Sequence, residues 1–264
     1  MTNTLNSVKS ESYEVRFDTG RNYRAKLGFV VLANEQTVEE DVFRLTPDGV
    51  GVHFSRLPMS NEATVETLKE MEPGIEKAAS TILPDDNLDV SCYTCNCGTM
   101  VIGEQRVLGA LRRGRVNAIP TTVMTGVVHG LRAVGARRIV AATPYLDEVN
   151  AYVLDFLQQN GFEVVNIQGL NLTTNKEIDC VKPEFLREFG ASLNRPDIDA
   201  IFMCCGALRT LDIVDSLESQ VGKPVIVSNQ AMMWDCLRRA GIDDKIDGYG
   251  RLLQMSGREV GLVA

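Results

Sequence analysis

The sequence has few positive charges and no long apolar stretch. Its 27 Lys and Arg residues stand against 35 Asp and Glu residues, which gives a net charge of −8, so it lacks the basic surface with which proteins follow nucleic-acid phosphates. No segment reaches the roughly 20 apolar residues that cross a bilayer. Residues 1–22 contain no apolar run of the kind found in secretory signals. We therefore expect a cytoplasmic protein with neither a nucleic-acid nor a membrane partner.

Histidine is scarce, whereas cysteine is abundant. The two histidines, His53 and His129, lie in unrelated segments. The seven cysteines are Cys92, Cys95, Cys97, Cys180, Cys204, Cys205 and Cys236. An odd number of cysteines in a chain of 264 residues indicates free thiols in a reducing compartment rather than a disulfide framework. A structural zinc site needs four nitrogen or sulfur ligands, so zinc at the C-x-x-C spacing of Cys92 and Cys95 is a minor alternative, and we expect no metal.

Short apolar runs alternate with amphipathic stretches along most of the chain. Runs typical of buried strands lie near residues 25, 49, 88, 137, 162, 199 and 224. Helical patterns cover residues 64–82 (with a break at Pro73), 122–134, 147–159, 208–220 and 231–240. Repeated alternation of strand and helix predicts an α/β protein whose parallel sheets are covered by helices on both faces.

A further pattern divides the chain into two similar halves. The strand near residue 88 ends in C-Y-T-C-N-C-G, and the strand near residue 199 ends in C-C-G-A-L. Each strand therefore leads through cysteine into a loop that contains glycine. We predict an N-terminal extension over residues 1–22, a first α/β domain over residues 23–120 that is completed by residues 229–264, and a second α/β domain over residues 121–228.

Cys95 and Cys205 lie where a reactive group is expected. Open α/β sheets bind ligands beyond the carboxyl ends of their strands, so we expect these two thiols to face each other across one cleft. A thioredoxin-like dithiol in C-Y-T-C is an alternative, although such a pair normally begins a helix. Inert burial is another, since free cysteine is among the most buried residue types. Inert burial is the expected state of Cys92, Cys180, Cys204 and Cys236.

Two thiols on opposite sides of a small acid can supply both a base and an acid. Removal of a proton beside a carboxylate, with return of a proton to the opposite face, requires one of each. An ordinary thiol has a pKa of about 8.5, and backbone N–H groups in a turn such as the one from Asn96 to Thr99 lower it. The same amides are suited to hold a carboxylate and the charge of a developing carbanion.

Four segments carry a family likeness. In chain order they read S-C-Y-T-C-N-C-G-T-M-V-I-G-E, A-T-P-Y-L-D-E-V-N-A-Y-V-L-D-F-L, I-F-M-C-C-G-A-L-R-T-L-D-I-V and G-K-P-V-I-V-S-N-Q-A-M-M-W-D. From about Lys26 to Arg251 the chain resembles the aspartate/glutamate racemase superfamily, in the branch of maleate cis-trans isomerases, arylmalonate decarboxylases and ectoine-utilisation proteins. The resemblance implies two similar Rossmann-like domains with parallel sheets, related by a pseudo-twofold axis, and an active site in the cleft between them. It also implies a homo-oligomer.

The resemblance assigns roles to individual residues. It makes Cys95 and Cys205 the catalytic pair and implies that no cofactor takes part. The residues that it assigns to substrate binding are Asn34, Asn96, Cys97, Tyr145, Asn175 and Gly206. Within this set, Tyr145 matches a tyrosine that hydrogen-bonds a substrate carboxylate, and Asn34 and Asn175 match loop asparagines of the isomerases. In the two cysteine loops, the positions at which the backbone donates hydrogen bonds are those of Asn96, Cys97 and Gly206. The side chains of these residues are not clearly needed.

Departures from the family pattern bear on the substrate. Arylmalonate decarboxylases have glycine at the position of Cys95, so a cysteine there argues against simple decarboxylation. Maleate isomerases continue after the second cysteine with a segment containing Gln, Met and Pro, whereas this chain reads G-A-L-R-T-L-D. Asn96 and Cys97 replace the usual Thr and Ser.

The sequence leaves three functions open. The first is a cofactor-independent isomerase of the maleate type, in which the Cys95 thiolate adds to an alkene carbon while Cys205 protonates its neighbour. The second is a racemase of an amino acid or an ectoine-derived acid, in which the two thiols exchange the roles of acid and base. The third is a protein that binds a small acid without catalysis, because a fold does not by itself determine function.

Overall fold

Two parallel β-sheets form the frame of the molecule. The computed structural model describes residues 10–60 and 64–262. The strands of the first sheet are β1 (Ala25–Leu32), β2 (Val50–Leu57), β3 (Val90–Tyr93) and β4 (Ile119–Thr122). Those of the second sheet are β5 (Arg138–Thr143), β6 (Glu163–Gly169), β7 (Ala200–Met203) and β8 (Val225–Val227).

The two sheets have the same topology. The first has the order β2-β1-β3-β4 and the second the order β6-β5-β7-β8, and every strand pair in both is parallel. Each strand of the first sheet thus has a counterpart in the second, with β1 matching β5 and β3 matching β7. This repeat confirms the predicted α/β fold with two similar Rossmann-like units.

Helices follow most of the strands. In the first half they are α1 (Val38–Arg44), α2 (Val65–Glu70), α3 (Glu72–Ser80), α4 (Asn96–Ile102), α5 (Glu104–Gly114) and α6 (Val123–Ala133). In the second half they are α7 (Asp147–Gln159), α8 (Asn175–Asp179), α9 (Pro183–Ser192), α10 (Val214–Val221) and α11 (Ser228–Arg239). Among the described residues, no helix combines the length and the apolar character needed to cross a membrane.

The core consists of the central strands and the helix faces against them. Every residue of β3, β7 and β8 is buried, as expected for parallel strands that are covered on both faces. The last helix, α11, packs on α6 and also on β3 and β4. Helix α11 therefore returns from the second sheet to the first. The division of the chain into domains over residues 23–120 and 121–228 stays a prediction.

Several elements differ from the sequence predictions. Strand β4 was not predicted because Pro120 lies within it, and proline, which has no N–H donor, occurs in sheets mainly on edge strands such as this one. The predicted helix at 64–82 is two helices that meet at Met71, and Pro73 lies in the first turn of the second, where proline is tolerated. The predicted helix at 208–220 begins only at Val214, after a short 3₁₀ turn at Thr210–Asp212.

Candidate active site

Cys95 and Cys205 occupy equivalent positions in the two halves. Each lies two residues beyond the end of its strand, since β3 ends at Tyr93 and β7 ends at Met203. Each is 8% exposed, and both line the same cavity. The cavity has a volume of about 40 Å³, which holds about three water molecules. The two thiols are therefore close enough to contact one small ligand.

Local hydrogen bonds hold the Cys95 loop. Cys95 is the N-cap of α4, and its Sγ accepts the backbone N–H of Gly98 at 3.2 Å. A Cβ atom at Gly98 would lie 2.4 Å from Oη of the buried Tyr93, so only glycine lets this amide approach. The hydroxyl of Thr99 donates to the carbonyl of Cys95 at 2.7 Å. The thiol thus replaces the oxygen that usually caps a helix.

The Cys205 loop has a different backbone conformation. Cys205 has φ = 111°, a value that is unfavourable for a residue with a Cβ atom. Its backbone N–H donates to Oγ of Ser228 at 3.0 Å, and the next N–H, that of Gly206, donates to Oδ1 of Asn96 at 3.2 Å. Side chains that follow β8 and β3 therefore fix this strained turn.

Asn96 joins the two cysteine loops through its side chain. Besides accepting the N–H of Gly206, it donates through Nδ2 to Oγ of Ser228 at 3.0 Å. Asn96 and Ser228 are both buried, so a loss of either leaves unpaired polar groups in the interior. The sequence interpretation, which gave the Asn96 side chain no clear role, missed this link. It also missed Ser228, whose only signal is a serine at the junction of β8 and α11.

Seven of the eight predicted site residues line the cavity. They are Cys95, Asn96, Cys97, Tyr145, Asn175, Cys205 and Gly206. The exception is Asn34, whose Oδ1 accepts the side-chain N–H of Asn175 at 2.8 Å. The structure therefore gives Asn34 a contact with a lining residue rather than a place on the wall of the cavity.

Burial keeps both thiols protonated. It raises the pKa of Cys95 to about 11, against the lowering effect of the N–H of Gly98. It raises the pKa of Cys205 to about 12, against hydrogen bonds from Tyr145 and the backbone of Ala207. The negative charge of Glu35 adds to both increases.

Glu35 is a cavity residue that the sequence analysis did not single out. It follows β1, is 7% exposed and lines the cavity. Its Oε1 accepts the backbone N–H groups of Gln36, Thr37 and Val38 at 3.1, 2.9 and 3.3 Å. Burial raises the pKa of Glu35, and these N–H groups oppose that increase. The signal in the sequence was an acid next to Asn34, just after a buried strand.

The cysteines outside the pair differ in exposure. Cys92, Cys204 and Cys236 are fully buried, as predicted. Cys180 is exposed, so the prediction of burial was wrong there, because this residue ends the short helix α8 at the surface. Sγ of Cys204 lies 3.9 Å from Oη of Tyr145, which places a fourth thiol beside the cavity that Cys95, Cys97 and Cys205 line.

His129 has a structural partner outside the site. Its Nδ1 lies 2.7 Å from Oδ1 of Asp235, whose other oxygen accepts the hydroxyl of Thr121 at 2.6 Å and Nε of Arg239 at 2.7 Å. Asp235 is fully buried, and these donors keep its pKa below the ordinary value in spite of burial. The cluster links α6, β4 and α11.

Comparisons with known proteins agree with this architecture. A family model described as arylmalonate decarboxylase matches residues 109–253. The arylmalonate decarboxylase of Bordetella bronchiseptica is 31% identical over 242 residues, which cover 87% of this chain and 97% of that protein. The maleate isomerase of Nocardia farcinica is 28% identical over 241 residues, which cover 87% of this chain and 95% of that protein.

Solved structures extend the likeness to the whole fold. A cysteine-to-serine mutant of the Nocardia farcinica maleate cis-trans isomerase, with a covalently bound succinylcysteine intermediate, superposes with a TM-score of 0.81. It is 26% identical, and the match covers 87% of this chain and 98% of that one. In that relative a cysteine bonds covalently to a four-carbon acid.

Proposed function

Because the chain belongs to the family of arylmalonate decarboxylases and maleate isomerases, we propose that it is a cofactor-independent isomerase of a small carboxylate that uses Cys95 and Cys205 as a pair. Membership confirms the resemblance seen in the sequence, and the relatives are enzymes. The observation that carries the proposal is the equivalent placement of the two thiols at the ends of β3 and β7, on one cavity.

In the proposed reaction, Cys95 acts as the nucleophile. The backbone N–H of Gly98 donates to its sulfur and lowers the pKa of Cys95 against the effect of burial. In the minor form of the site in which Cys95 is ionised, its thiolate adds to one carbon of a cis double bond, and the Cys205 thiol gives its proton to the neighbouring carbon. The former double bond is then a single bond between two saturated carbons, with Cys95 in a thioether and Cys205 as a thiolate.

Rotation and elimination complete the cycle. After rotation about the new single bond, the Cys205 thiolate removes a proton from the carbon that it protonated, and the bond from Cys95 to carbon breaks. The trans alkene leaves, and the site again holds one thiolate and one thiol. Tyr145, which lines the cavity together with both thiols, is suited to hold a carboxylate of the substrate during these steps.

Racemisation is the second candidate, and the repeat of the fold favours it. Two thiols at equivalent positions can exchange the roles of base and acid, so that either enantiomer of a chiral acid is converted into the other. In that case one thiolate takes the proton beside the carboxylate and the other thiol supplies a proton from the opposite side.

A substrate screen by proton NMR in deuterium oxide tests the proposal. The panel contains maleate, aspartate, glutamate, arylmalonates and ectoine-derived acids. An isomerase converts a cis acid into its trans form, whereas a racemase exchanges the α-proton of a chiral acid for deuterium. Saturable binding without conversion or exchange of any acid in the panel would contradict catalysis and favour the binding-protein alternative.

A further inference from the structure

The cavity places a carboxyl group beside the two thiols. Glu35 lines it together with Cys95 and Cys205, and its charge acts on the pKa of both. All three hydrogen bonds of the Glu35 side chain go to Oε1. Within residues 10–60 and 64–262, Oε2 accepts none, so this oxygen is left for a ligand.

No cation offsets this carboxyl group in the cavity. Among the described residues that line it, none is Lys or Arg. Arg56 is the cation that acts on Glu35, but its guanidinium binds the backbone carbonyl of Glu35 at 3.0 Å and the Glu39 carboxylate at 2.6 Å. The Arg56 guanidinium therefore lies at the surface of the loop that contains Glu35 and not in the cavity.

A second acid lies near Glu35 and adds to the negative field. Burial and the charge of Glu35 raise the pKa of Asp179 to about 6, against the lowering effects of Gln36 and Arg209. Nε2 of Gln36 donates to Oδ2 of Asp179 at 2.7 Å. The side of the cavity at Glu35 is thus acidic, whereas no residue of the cysteine loops that lines the cavity is acidic.

These two sides favour different groups on a ligand. A carboxylate next to Glu35 would place like charges together out of water, which weakens binding. A neutral N–H or O–H group would instead give Oε2 the hydrogen bond that it lacks, and three N–H donors on Oε1 already favour the ionised carboxylate. Unpaired carboxylates are costly to bury, so this donor stabilises the complex.

We propose that Glu35 selects substrates that carry one carboxylate and one neutral hydrogen-bond donor, such as the half-amide of a cis-alkene dicarboxylic acid, over the corresponding dicarboxylates. This inference rests on the proposed function, because it assigns the substrate class of the same site. The carboxylate binds at the cysteine loops and the amide N–H group donates to Glu35. Selection arises both from the hydrogen bond that the half-amide makes and from the repulsion that the dicarboxylate suffers.

Binding of two saturated probes tests the inference without any turnover. Succinate and its half-amide, succinamate, have the same carbon chain and differ in one charge and one donor. We expect the natural protein to bind succinamate at least about tenfold more tightly by titration calorimetry at pH 7.5. Equal affinities, tighter binding of succinate, or no binding of either probe would overturn the inference. Tighter binding of succinate would mean that Glu35 meets the ligand as a protonated donor.

A charge-removing variant with a matched control assigns the preference to Glu35. Glu35→Gln keeps an oxygen for the three backbone N–H groups and turns the other end into a donor, so we expect the preference to shift toward succinate by at least about tenfold. Glu40→Gln removes the charge of an exposed glutamate on α1 and should leave the preference unchanged. An unshifted preference in a folded Glu35→Gln protein overturns the inference, and the comparison in the natural protein decides the matter if the variant does not fold.

Turnover separates this inference from the proposed function. Maleate and its half-amide, maleamate, are offered to the natural protein in the same NMR assay. Equal values of kcat/KM for the two acids would support the proposed isomerase activity but would contradict substrate selection by Glu35. Tighter binding of succinamate than of succinate, with no isomerisation of any acid, would support the selectivity of Glu35 but would contradict the proposed isomerase reaction.

Discussion

The two cysteine loops occupy equivalent positions but are held in different ways. The Cys95 loop has an ordinary backbone and is held by its own residues, Gly98 and Thr99. The Cys205 loop has a strained backbone and is held by Asn96 and Ser228, which lie far away in the sequence. The fold thus repeats in the two halves, whereas the support of its reactive groups does not. The geometry of the second thiol therefore depends on contacts between the two halves.

Among the variants that keep both thiols, the largest effect is expected from breaking the local support of Cys95. Gly98→Ala places a methyl group against the buried Tyr93 ring and moves the amide away from Cys95. We expect kcat/KM to fall by at least about 100-fold, because the thiolate loses a hydrogen bond that stabilises its charge. Urea unfolding should show a loss of about 1–3 kcal/mol in the free energy of unfolding.

Gly109→Ala is the control for this variant. Gly109 lies within α5, and a Cβ atom there meets only Nη1 of Arg113, at an ordinary 3.5 Å. We expect unchanged activity and a small gain in stability, since alanine favours helices more than glycine does. Activity in Gly98→Ala equal to that of this control would show that the amide of residue 98 does not act on the thiol.

A smaller effect is expected from breaking the long-range support of Cys205. Ser228→Ala removes the acceptor of the Cys205 N–H and of the Asn96 side chain. The buried donors left unpaired should lower the free energy of unfolding by about 1–3 kcal/mol. We expect kcat to fall by about 10-fold, because the second thiol loses its position rather than its chemistry.

Ser219→Ala provides the comparison for that measurement. Ser219 is exposed on α10 and donates only to the carbonyl of Asp215, one turn earlier. Its removal should change neither kcat nor the urea midpoint. If Ser228→Ala has the same kcat as Ser219→Ala, the link between the halves does not position Cys205.

The contrast in backbone strain is tested by stability, in two variants that each remove one thiol of the pair. Cys205→Gly relieves the positive φ angle, whereas Cys95→Gly removes a thiol from an unstrained N-cap. We expect the first variant to be more stable than the second by about 1–3 kcal/mol in urea unfolding, although neither should turn over substrate. Equal stabilities would show that the turn at Cys205 is not strained.

The sequence predicted the parts of the site that depend on local rules. Cys95 and Cys205 each follow an apolar run that forms a strand, and the strand-end rule places such residues at a ligand site, whereas Tyr145 was assigned through the family resemblance. The roles of the Asn96 side chain, Ser228 and Glu35 escaped assignment for a physical reason. The roles of Asn96 and Ser228 come from hydrogen bonds between residues 132 positions apart. The role of Glu35 comes from the charges that surround it, which only the folded chain brings together.

The prediction of secondary structure from the sequence was limited in the same way. Strands with continuous apolar runs were predictable, whereas β4, with Pro120 inside it and Ile119 partly exposed, was not. Its pairing with β3 is a tertiary interaction that overrides the local signal.

Turnover by three serine variants tests the paired-thiol account most directly. Cys95→Ser and Cys205→Ser each leave one thiol of the pair in the cavity, and Cys180→Ser changes an exposed thiol that does not line it. With the best acid from the NMR screen, we expect each of the first two to lose at least about 1,000-fold in kcat/KM, while Cys180→Ser matches the natural protein. Near-natural activity in a folded Cys95→Ser or Cys205→Ser protein would contradict the paired-thiol account.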